Sequence, residues 1–141
     1  MVYQSVTSKE GRRKMGKVVE KVRITNLLDP AKFVEVEAVV DTGATMVVLP
    51  QEIVDELGLK KVREVRVRYA NNSTQSKSVY GVATVEISGR TGNFDVLAEA
   101  AGSQPLIGQV VLEILDLVVD SRTRRLIPNP MSPETPMVEI L

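Results

Sequence analysis

The sequence predicts an all-β domain, a closed β-barrel or sandwich that also carries one or two short helices. Segments rich in Val and Ile recur along most of the chain, many with the partial apolar–polar alternation that is typical of half-buried strands. Residues that favour turns separate these segments at regular intervals, and only two short stretches have a helical pattern. Such regular spacing of strands and turns indicates a sandwich or barrel.

The chain of 141 residues is long enough for one domain, which at this size buries roughly two-thirds of its unfolded surface. Residues 1–16 are polar and basic without periodicity and predict an N-terminal arm. The strand-rich pattern covers residues 17–128, which we assign to the domain. Residues 129–141 contain three prolines and predict an extended tail, whose apolar end could add a strand at a dimer interface.

The first part of the domain predicts a hairpin, a strand and a helix. Residues 18–24 and 33–40 alternate as hairpin strands, with a turn at residues 26–30. Residues 45–49 are apolar enough for a buried strand. Residues 50–58 predict a short helix, because Pro lies at the start, acidic residues follow in the first turn and Gly comes after the end.

A long hairpin with a polar tip follows. Residues 62–69 and 79–87 place apolar residues at alternate positions and flank the polar residues 71–75. The remaining predicted elements are a strand at 93–98, a loop at 101–104, a strand at 105–108, a helix at 109–114 and a hairpin that pairs 117–120 with 125–127.

Composition narrows the chemistry. The chain has no His and no Cys, which excludes a Ser-His triad, a Cys nucleophile, a thiolate zinc site and a disulfide. Lys and Arg together number 18, as do Asp and Glu, so the net charge indicates neither a nucleic-acid nor a membrane-surface partner. No apolar run has the length of a membrane span, and basic residues lie where a secretory signal needs apolar ones, so we expect a cytoplasmic protein.

The segment Val39-Val40-Asp41-Thr42-Gly43-Ala44 carries the candidate chemistry. Two β-branched residues place Asp41 at the end of a buried strand, and Gly43 lets the backbone turn sharply with its N–H groups facing the carboxylate. A carboxylate held in this way is a candidate catalytic group. Asp and Thr are also common in turns before Gly, so an Asx-turn that caps the strand is the alternative interpretation.

This segment resembles the retroviral-type aspartic peptidases (retropepsins), and the resemblance covers about residues 17–128. In that family an apolar pair precedes Asp-Thr-Gly-Ala, an apolar strand and a flap hairpin follow, and two apolar residues with Gly close the domain. Leu106-Ile107-Gly108 matches this closing motif beneath the site, and residues 109–115 match the helix after it. The helix at residues 50–57 is more similar to cellular and prokaryotic relatives than to the shorter viral enzymes.

The resemblance implies an aspartic endopeptidase that needs no metal or cofactor. Because the reaction uses two carboxylates and the chain has one Asp-Thr-Gly, it also implies a homodimer in which two Asp41 side chains activate a water molecule against a peptide substrate. Thr42 would bridge to the partner loop through its hydroxyl, and Gly43 would contact substrate. Pepsin-like enzymes often carry Ser where this chain has Ala44, and that hydroxyl favours the ionised carboxylate, so we expect a working pH nearer neutral.

By the same resemblance, the tip of the long hairpin is the flap that closes over bound peptide. The predicted flap residues are Ala70, Asn71, Asn72, Ser73 and Thr74. Viral flap tips are rich in Gly, whereas this tip has none and carries amide side chains that can hydrogen-bond a peptide backbone. An ordinary solvated hairpin loop is the alternative.

Two other functional classes stay open. One is a catalytically inactive domain of this fold that dimerises for binding or scaffolding, which the departure in the flap tip favours and the intact Asp-Thr-Gly opposes. The other is a nucleic-acid-binding domain that uses Arg12, Arg13 and Lys14 of the arm. Only Tyr3 could supply an aromatic platform there, so peptide or protein is the expected ligand.

Overall fold

The computed structural model of this chain describes residues 17–140. The predicted N-terminal arm, with its basic residues, lies outside the described residues. Within the described range the elements in chain order are β1 (Val19–Asn26), β2 (Asp29–Val40), β3 (Val47–Pro50), α1 (Gln51–Glu56), β4 (Lys60–Arg68), β5 (Thr74–Ile87), β6 (Arg90–Glu99), β7 (Leu106–Ile107), α2 (Gln109–Leu115), β8 (Leu117–Asp120) and β9 (Arg125–Pro128).

Seven strands form one sheet in the order β1-β2-β7-β3-β6-β5-β4. The sheet closes on itself because β1 also pairs with β5, through residues 23–26 against residues 83–86. This closure confirms the predicted all-β fold class. Strands β2 and β5, with 12 and 14 residues, are longer than the short strands that the pattern predicts. Strand β2 pairs with β1 and β7, and β5 pairs along its length with β4, β6 and β1.

The barrel interior holds the apolar faces of the alternating strands. Val22 and Ile24 of β1 are fully buried, as is Val85 of β5, which pairs with Ile24. Helix α1 buries Val54, and α2 buries Val111, Leu112 and Leu115 against the same core. Within residues 17–140 neither helix has the length and apolar character that crossing a membrane requires.

The outer hairpin β8–β9 is joined to the barrel by a buried carboxylate. Glu20 of β1 is 3% exposed, and its Oε2 accepts hydrogen bonds from the Leu126 backbone N–H at 2.7 Å and from Arg125 Nε at 2.8 Å. We expect Glu20→Ala to lower the free energy of unfolding by about 1–3 kcal/mol, because the buried Leu126 amide loses its acceptor. Denaturant unfolding of the two proteins measures this loss.

Glu35→Ala is the matched control for that substitution. Glu35 pairs with Arg23 at 3.3 Å on the neighbouring strand, but both side chains are about half exposed. An exposed pair of this kind contributes about 0–1 kcal/mol. Equal losses of stability in the two variants would contradict the proposed role of Glu20.

The segment after Pro128 folds back onto the end of α2. Among the described residues it forms no helix or strand, and the Asp116 carboxylate anchors it by accepting hydrogen bonds from Asn129 Nδ2 at 3.1 Å, from the Met137 N–H at 3.0 Å and from the Ser132 hydroxyl. The hydrogen bonds from Ser132 and Asn129, with the Met137 amide after them, lower the pKa of Asp116 below its usual value.

The lowered pKa makes the anchoring of the tail depend on pH. A carboxylate with a lowered pKa in the folded state contributes stability that is fully present above its unfolded pKa of about 3.9 and is lost as pH falls through the folded value. We therefore expect the Met137 amide to be protected at pH 5–7 and to lose protection progressively below about pH 4. Amide hydrogen exchange, corrected for the intrinsic effect of pH, measures this.

Asp116→Asn provides the control for the pH experiment. Asn does not titrate, and it offers one neutral oxygen where Asp116 uses two charged ones. The variant is therefore expected to protect the Met137 amide less than the wild type does at neutral pH, and to the same extent from about pH 3 to about pH 7, the range around the carboxyl titration. Protection that is the same at both ends of this range in the wild type would show that Asp116 does not anchor the tail through its charge.

Candidate active site

The turn that holds Asp41 lies where three strands meet. Strand β7 lies between β2 and β3, parallel to β2 and antiparallel to β3, with Ile107 opposite both Val40 and Val47. The turn that joins β2 to β3 therefore crosses over the end of β7. The Asp41 backbone N–H donates to the Ile107 carbonyl at 3.0 Å. This hydrogen bond joins the backbone of the candidate catalytic residue to the closing motif, Leu106-Ile107-Gly108.

The carboxylate of Asp41 is oriented by its own turn. Its Oδ1 accepts a hydrogen bond from the Gly43 N–H at 2.9 Å, and its carbonyl accepts one from the Ala44 N–H at 3.0 Å. This is the Asx-turn geometry that was the alternative interpretation, and it holds the carboxylate while leaving the group half exposed. The turn geometry and a catalytic role are therefore compatible.

Gly108 lets helix α2 approach the Asp41 turn. A Cβ at this position would lie 2.5 Å from the Met46 carbonyl oxygen and 2.6 Å from the Thr45 carbonyl carbon. This close approach brings the first N–H groups of α2 to the loop, where Gln109 N donates to the Ala44 carbonyl at 2.8 Å and Val110 N donates to the Thr45 carbonyl at 3.0 Å. The closing motif thus supports the floor of the site from below.

The other residues of the turn face outward. Thr42 and Gly43 are exposed, and Ala44 is half buried. The structure thus places Asp41 and its turn next to Leu106-Ile107-Gly108.

A cleft of about 990 Å³ opens beside Asp41. Its floor is formed by the turn, and its wall by apolar side chains of β3, β6 and β7, which are Val48, Leu97 and Leu106. Its other side is the inner face of the β4–β5 hairpin, with Val65 and Val67. Concave, mainly apolar clefts of this size are typical of ligand sites.

The hairpin tip lies one residue earlier in the chain than the predicted flap residues 70–74. Strand β5 already begins at Thr74, so the tip comprises residues 69–73, and Thr74 lies in the paired part, where its hydroxyl accepts a hydrogen bond from Arg66 at 3.1 Å. The tip turns without Gly because Asn72 adopts a left-handed backbone with φ +68° and Asn71 Oδ1 accepts hydrogen bonds from Ser73. Ala70 lines the cleft together with Asp41.

A polar cluster in the cleft was missed at the level of sequence. Lys77 Nζ lies 2.9 Å from Glu99 Oε1, and the Tyr69 hydroxyl donates to Glu99 Oε2 at 2.7 Å. All three residues line the cleft. The alternation of side chains along each strand could have indicated this cluster. Lys77 lies two residues from the buried Val79, and Glu99 lies two residues from the buried Leu97. Each charged side chain is therefore on the same face of its strand as a buried apolar residue.

The cluster shifts the pKa values of its three members. Desolvation of the phenol, with the hydrogen bond to Glu99, raises the pKa of Tyr69. The hydrogen bond to Glu99 also raises the pKa of Lys77. Desolvation pushes the pKa of Glu99 upward, but the hydrogen bonds from Lys77 and Tyr69 outweigh it, so the pKa of Glu99 lies below its usual value. At neutral pH the cluster is an ion pair with a neutral phenol.

Among residues 17–140, no group of three or more acidic side chains lies close enough together to hold a metal ion. In a closed β-barrel, a carboxylate turn braced by a Leu-Ile-Gly strand is the arrangement expected of an aspartyl protease-like domain. The chain belongs to the family described as gag-polyprotein putative aspartyl protease, whose sequence model matches residues 32–113. That match includes Asp41, the hairpin and the closing motif. No curated protein matches the chain.

Proposed function

We propose that this chain is an aspartic endopeptidase that acts as a homodimer and hydrolyses peptide bonds through a pair of Asp41 carboxylates. The observation that carries the proposal is the Asp41 turn, in which a half-exposed carboxylate is held by the Gly43 N–H at the floor of an apolar cleft. Membership of an aspartyl protease family supports the same chemistry.

The need for a dimer follows from the number of carboxylates. The chain contains a single Asp-Thr-Gly, and the reaction requires one ionised and one protonated carboxyl group in contact with the same water molecule. Two like charges brought together across a two-fold axis cannot both ionise, so the pair shares one proton. The ionised member takes a proton from the water, while the protonated member donates to the scissile carbonyl oxygen.

The exposed side of the turn supports this arrangement. Thr42 and Gly43 face solvent beside Asp41, where a second copy of the turn would lie. In the dimer the Thr42 hydroxyl bonds to the partner loop, and Gly43 presents its backbone to substrate. Ala44 supplies no hydroxyl to the carboxylate, so the working pH lies nearer neutral than that of pepsin-like enzymes.

The tail offers a surface for the dimer interface. Met137, Val138 and Ile140 are 59%, 63% and 90% exposed, which is unusual for apolar side chains so close together in sequence. Strand formation between the tails of two chains would bury these side chains. The tail is therefore our choice for the terminal strand of the interface, ahead of the segment that begins at Lys17.

The β4–β5 hairpin acts as the flap. Its inner face forms one side of the cleft. Its tip, residues 69–73, is held by its own turn hydrogen bonds and by the contact of Tyr69 with Glu99. Closure of this hairpin over an extended peptide would exclude water from the reacting carbonyl. Asn71 and Asn72 do not line the cleft in this structure, and closure of the hairpin would bring their side-chain amides within reach of the peptide backbone.

Cleavage of a diverse peptide library by the purified protein tests the proposed function. We expect cleavage between about pH 4 and pH 8, with specific activity that falls on dilution as the dimer dissociates. Analytical ultracentrifugation over the same concentrations relates activity to dimer. A stable dimer that cleaves no peptide over this range would favour the alternative, an inactive domain of this fold that serves binding or scaffolding.

A further inference from the structure

The polar cluster of Lys77, Glu99 and Tyr69 lines one part of a mainly apolar cleft. The strand register that pairs Val79 with Leu97 places Lys77 opposite Glu99 two residues further on, on the same inward face. The Lys77 and Glu99 side chains are each only 19% exposed. An ion pair at this position is therefore part of the cleft wall rather than an ordinary surface pair.

The residues next to the cluster are apolar, which makes an unpaired charge there costly. Val65 lies directly opposite Lys77 on the hairpin, and Val48 and Leu97 form the adjacent wall. In such apolar surroundings a charge without a partner is costly, and a charge with a hydrogen-bonded partner of opposite sign is tolerated. The pair is thus the arrangement that keeps this part of the cleft free of net charge.

Three other charged residues line the cleft, and they differ from the Lys77–Glu99 pair in position or exposure. Asp41 lies in the floor, and Arg66 and Arg68 are exposed at positions of β4 that alternate with the inward Val65 and Val67. A peptide side chain that lay along the apolar wall would meet the Lys77–Glu99 pair and the Tyr69 phenol, which line the same cleft.

We propose that the Lys77–Glu99 pair determines substrate specificity, so that the cleft takes an uncharged side chain with an apolar stem and excludes acidic and basic ones. This inference rests on the proposed peptidase function. A charged substrate group would have to compete with an existing partner of its own sign and would leave the other member of the pair unpaired. An uncharged group with a hydrogen-bond donor can use the phenol oxygen of Tyr69 without breaking the pair.

Removal of one partner is expected to change specificity in a direction set by the charge that remains. Lys77→Gln leaves the Glu99 carboxylate without its cation, so the cleft should gain preference for Lys and Arg side chains. Glu99→Gln leaves Lys77, so the cleft should gain preference for Asp and Glu. Because a homodimer has two such clefts, the change should occur at one position on each side of the scissile bond.

The experiment compares cleavage profiles of wild type and the two variants on a peptide library randomised at each position. We expect kcat/KM for peptides with the newly favoured charge to rise by about tenfold or more relative to uncharged peptides, in opposite directions for Lys77→Gln and Glu99→Gln. Lys61→Gln is the matched control, because Lys61 forms an exposed ion pair with Glu64 on the same hairpin at 2.7 Å but does not line the cleft.

A double variant, Lys77→Glu with Glu99→Lys, guards against loss of folding in the single variants. It restores a neutral pair and is expected to exclude charged side chains as the wild type does. Profiles that stay unchanged in both single variants, or that shift equally in Lys61→Gln, would overturn the inference. So would a charge-swapped protein that prefers charged peptides.

Binding measurements separate this inference from the proposed function. The same peptides, fluorescently labelled, can be titrated against Asp41→Asn versions of each protein and followed by polarisation, which requires no catalysis. If the wild type cleaves nothing but the binding preferences shift as expected, the proposed peptidase activity fails and the specificity of the cleft stands. If peptides are cleaved and neither measurement shows a shift, only the specificity inference fails.

Discussion

Replacing Asp41 with Asn is expected to abolish peptide cleavage, with kcat reduced by at least about 10³-fold. Asn has nearly the same shape, and its side-chain oxygen can still accept the hydrogen bond that the Gly43 N–H makes at 2.9 Å. It cannot take a proton from water, however, and it cannot share one with a second carboxyl group. The fold and the dimer should survive, so steady-state cleavage can be compared at equal dimer concentration.

Asp55→Asn is the control for Asp41→Asn. Asp55 is an exposed carboxylate of helix α1 that accepts a hydrogen bond from Gln51 at 2.9 Å and does not line the cleft. Its substitution should leave cleavage within about twofold of wild type, as is usual for surface positions. Residual activity of Asp41→Asn at the level of this control would exclude Asp41 from the reaction.

Replacing Gly108 with Ala is expected to lower the free energy of unfolding by about 3 kcal/mol or more, because the added methyl group overpacks a site that cannot relax cheaply. The methyl carbon would lie 2.5 Å from the Met46 carbonyl oxygen, and the contacting atoms are backbone rather than the end of a flexible side chain. Moving them apart would pull α2 away from the Asp41 turn and break the bonds from Gln109 and Val110. Denaturant unfolding measures the loss, and cleavage should decrease with it.

Gly102→Ala is the matched control for Gly108→Ala. A Cβ at Gly102 would meet no atom within 4 Å, although its φ of +82° carries a conformational cost for Ala. That cost is of the order of 1 kcal/mol. The distinction matters because Gly108 needs space and Gly102 needs a positive φ. A loss at Gly108 no larger than that at Gly102 would contradict the packing argument.

The local elements of this fold could be predicted because their signals are local. Alternation of Val and Ile identified the strands, and Pro50 and Gly58 marked the ends of α1, which the structure places at residues 51–56. Gly58 does end that helix with a φ of +67°. The Asp41 turn and Leu106-Ile107-Gly108 could be predicted as partners because they match one family's motifs in the correct order.

Other features depend on contacts between residues far apart in sequence. The pattern of β1 and β5 does not indicate that residues 23–26 pair with residues 83–86 and close the sheet. The predicted flap residues include Thr74, but β5 begins there, five residues before the predicted strand start at residue 79, because residues 74–78 pair with β4. Polar residues such as Thr74 to Ser78 are typical of loops, so composition alone predicts a loop there.

The polar cluster illustrates a different limit. Lys77 and Glu99 lie 22 positions apart, on strands whose register is set by a bulge between Tyr80 and Ala83. Alternation can place each charge on an inward face, but only the folded register places the two charges opposite one another. The sequence pattern therefore predicts the inward direction of each side chain, but it does not predict the ion pair between Lys77 and Glu99.

The central claim, that one active site uses Asp41 from two chains, is tested most directly by mixing subunits. Wild-type protein is unfolded and refolded together with a ninefold excess of Asp41→Asn, so that about nine in ten wild-type chains pair with a variant chain by random assortment. We predict that activity per wild-type chain falls about tenfold, because each mixed dimer has one Asp41 carboxylate in its active site where the reaction requires two. Activity that stays proportional to the amount of wild-type chain would show that each chain works alone and would contradict the account.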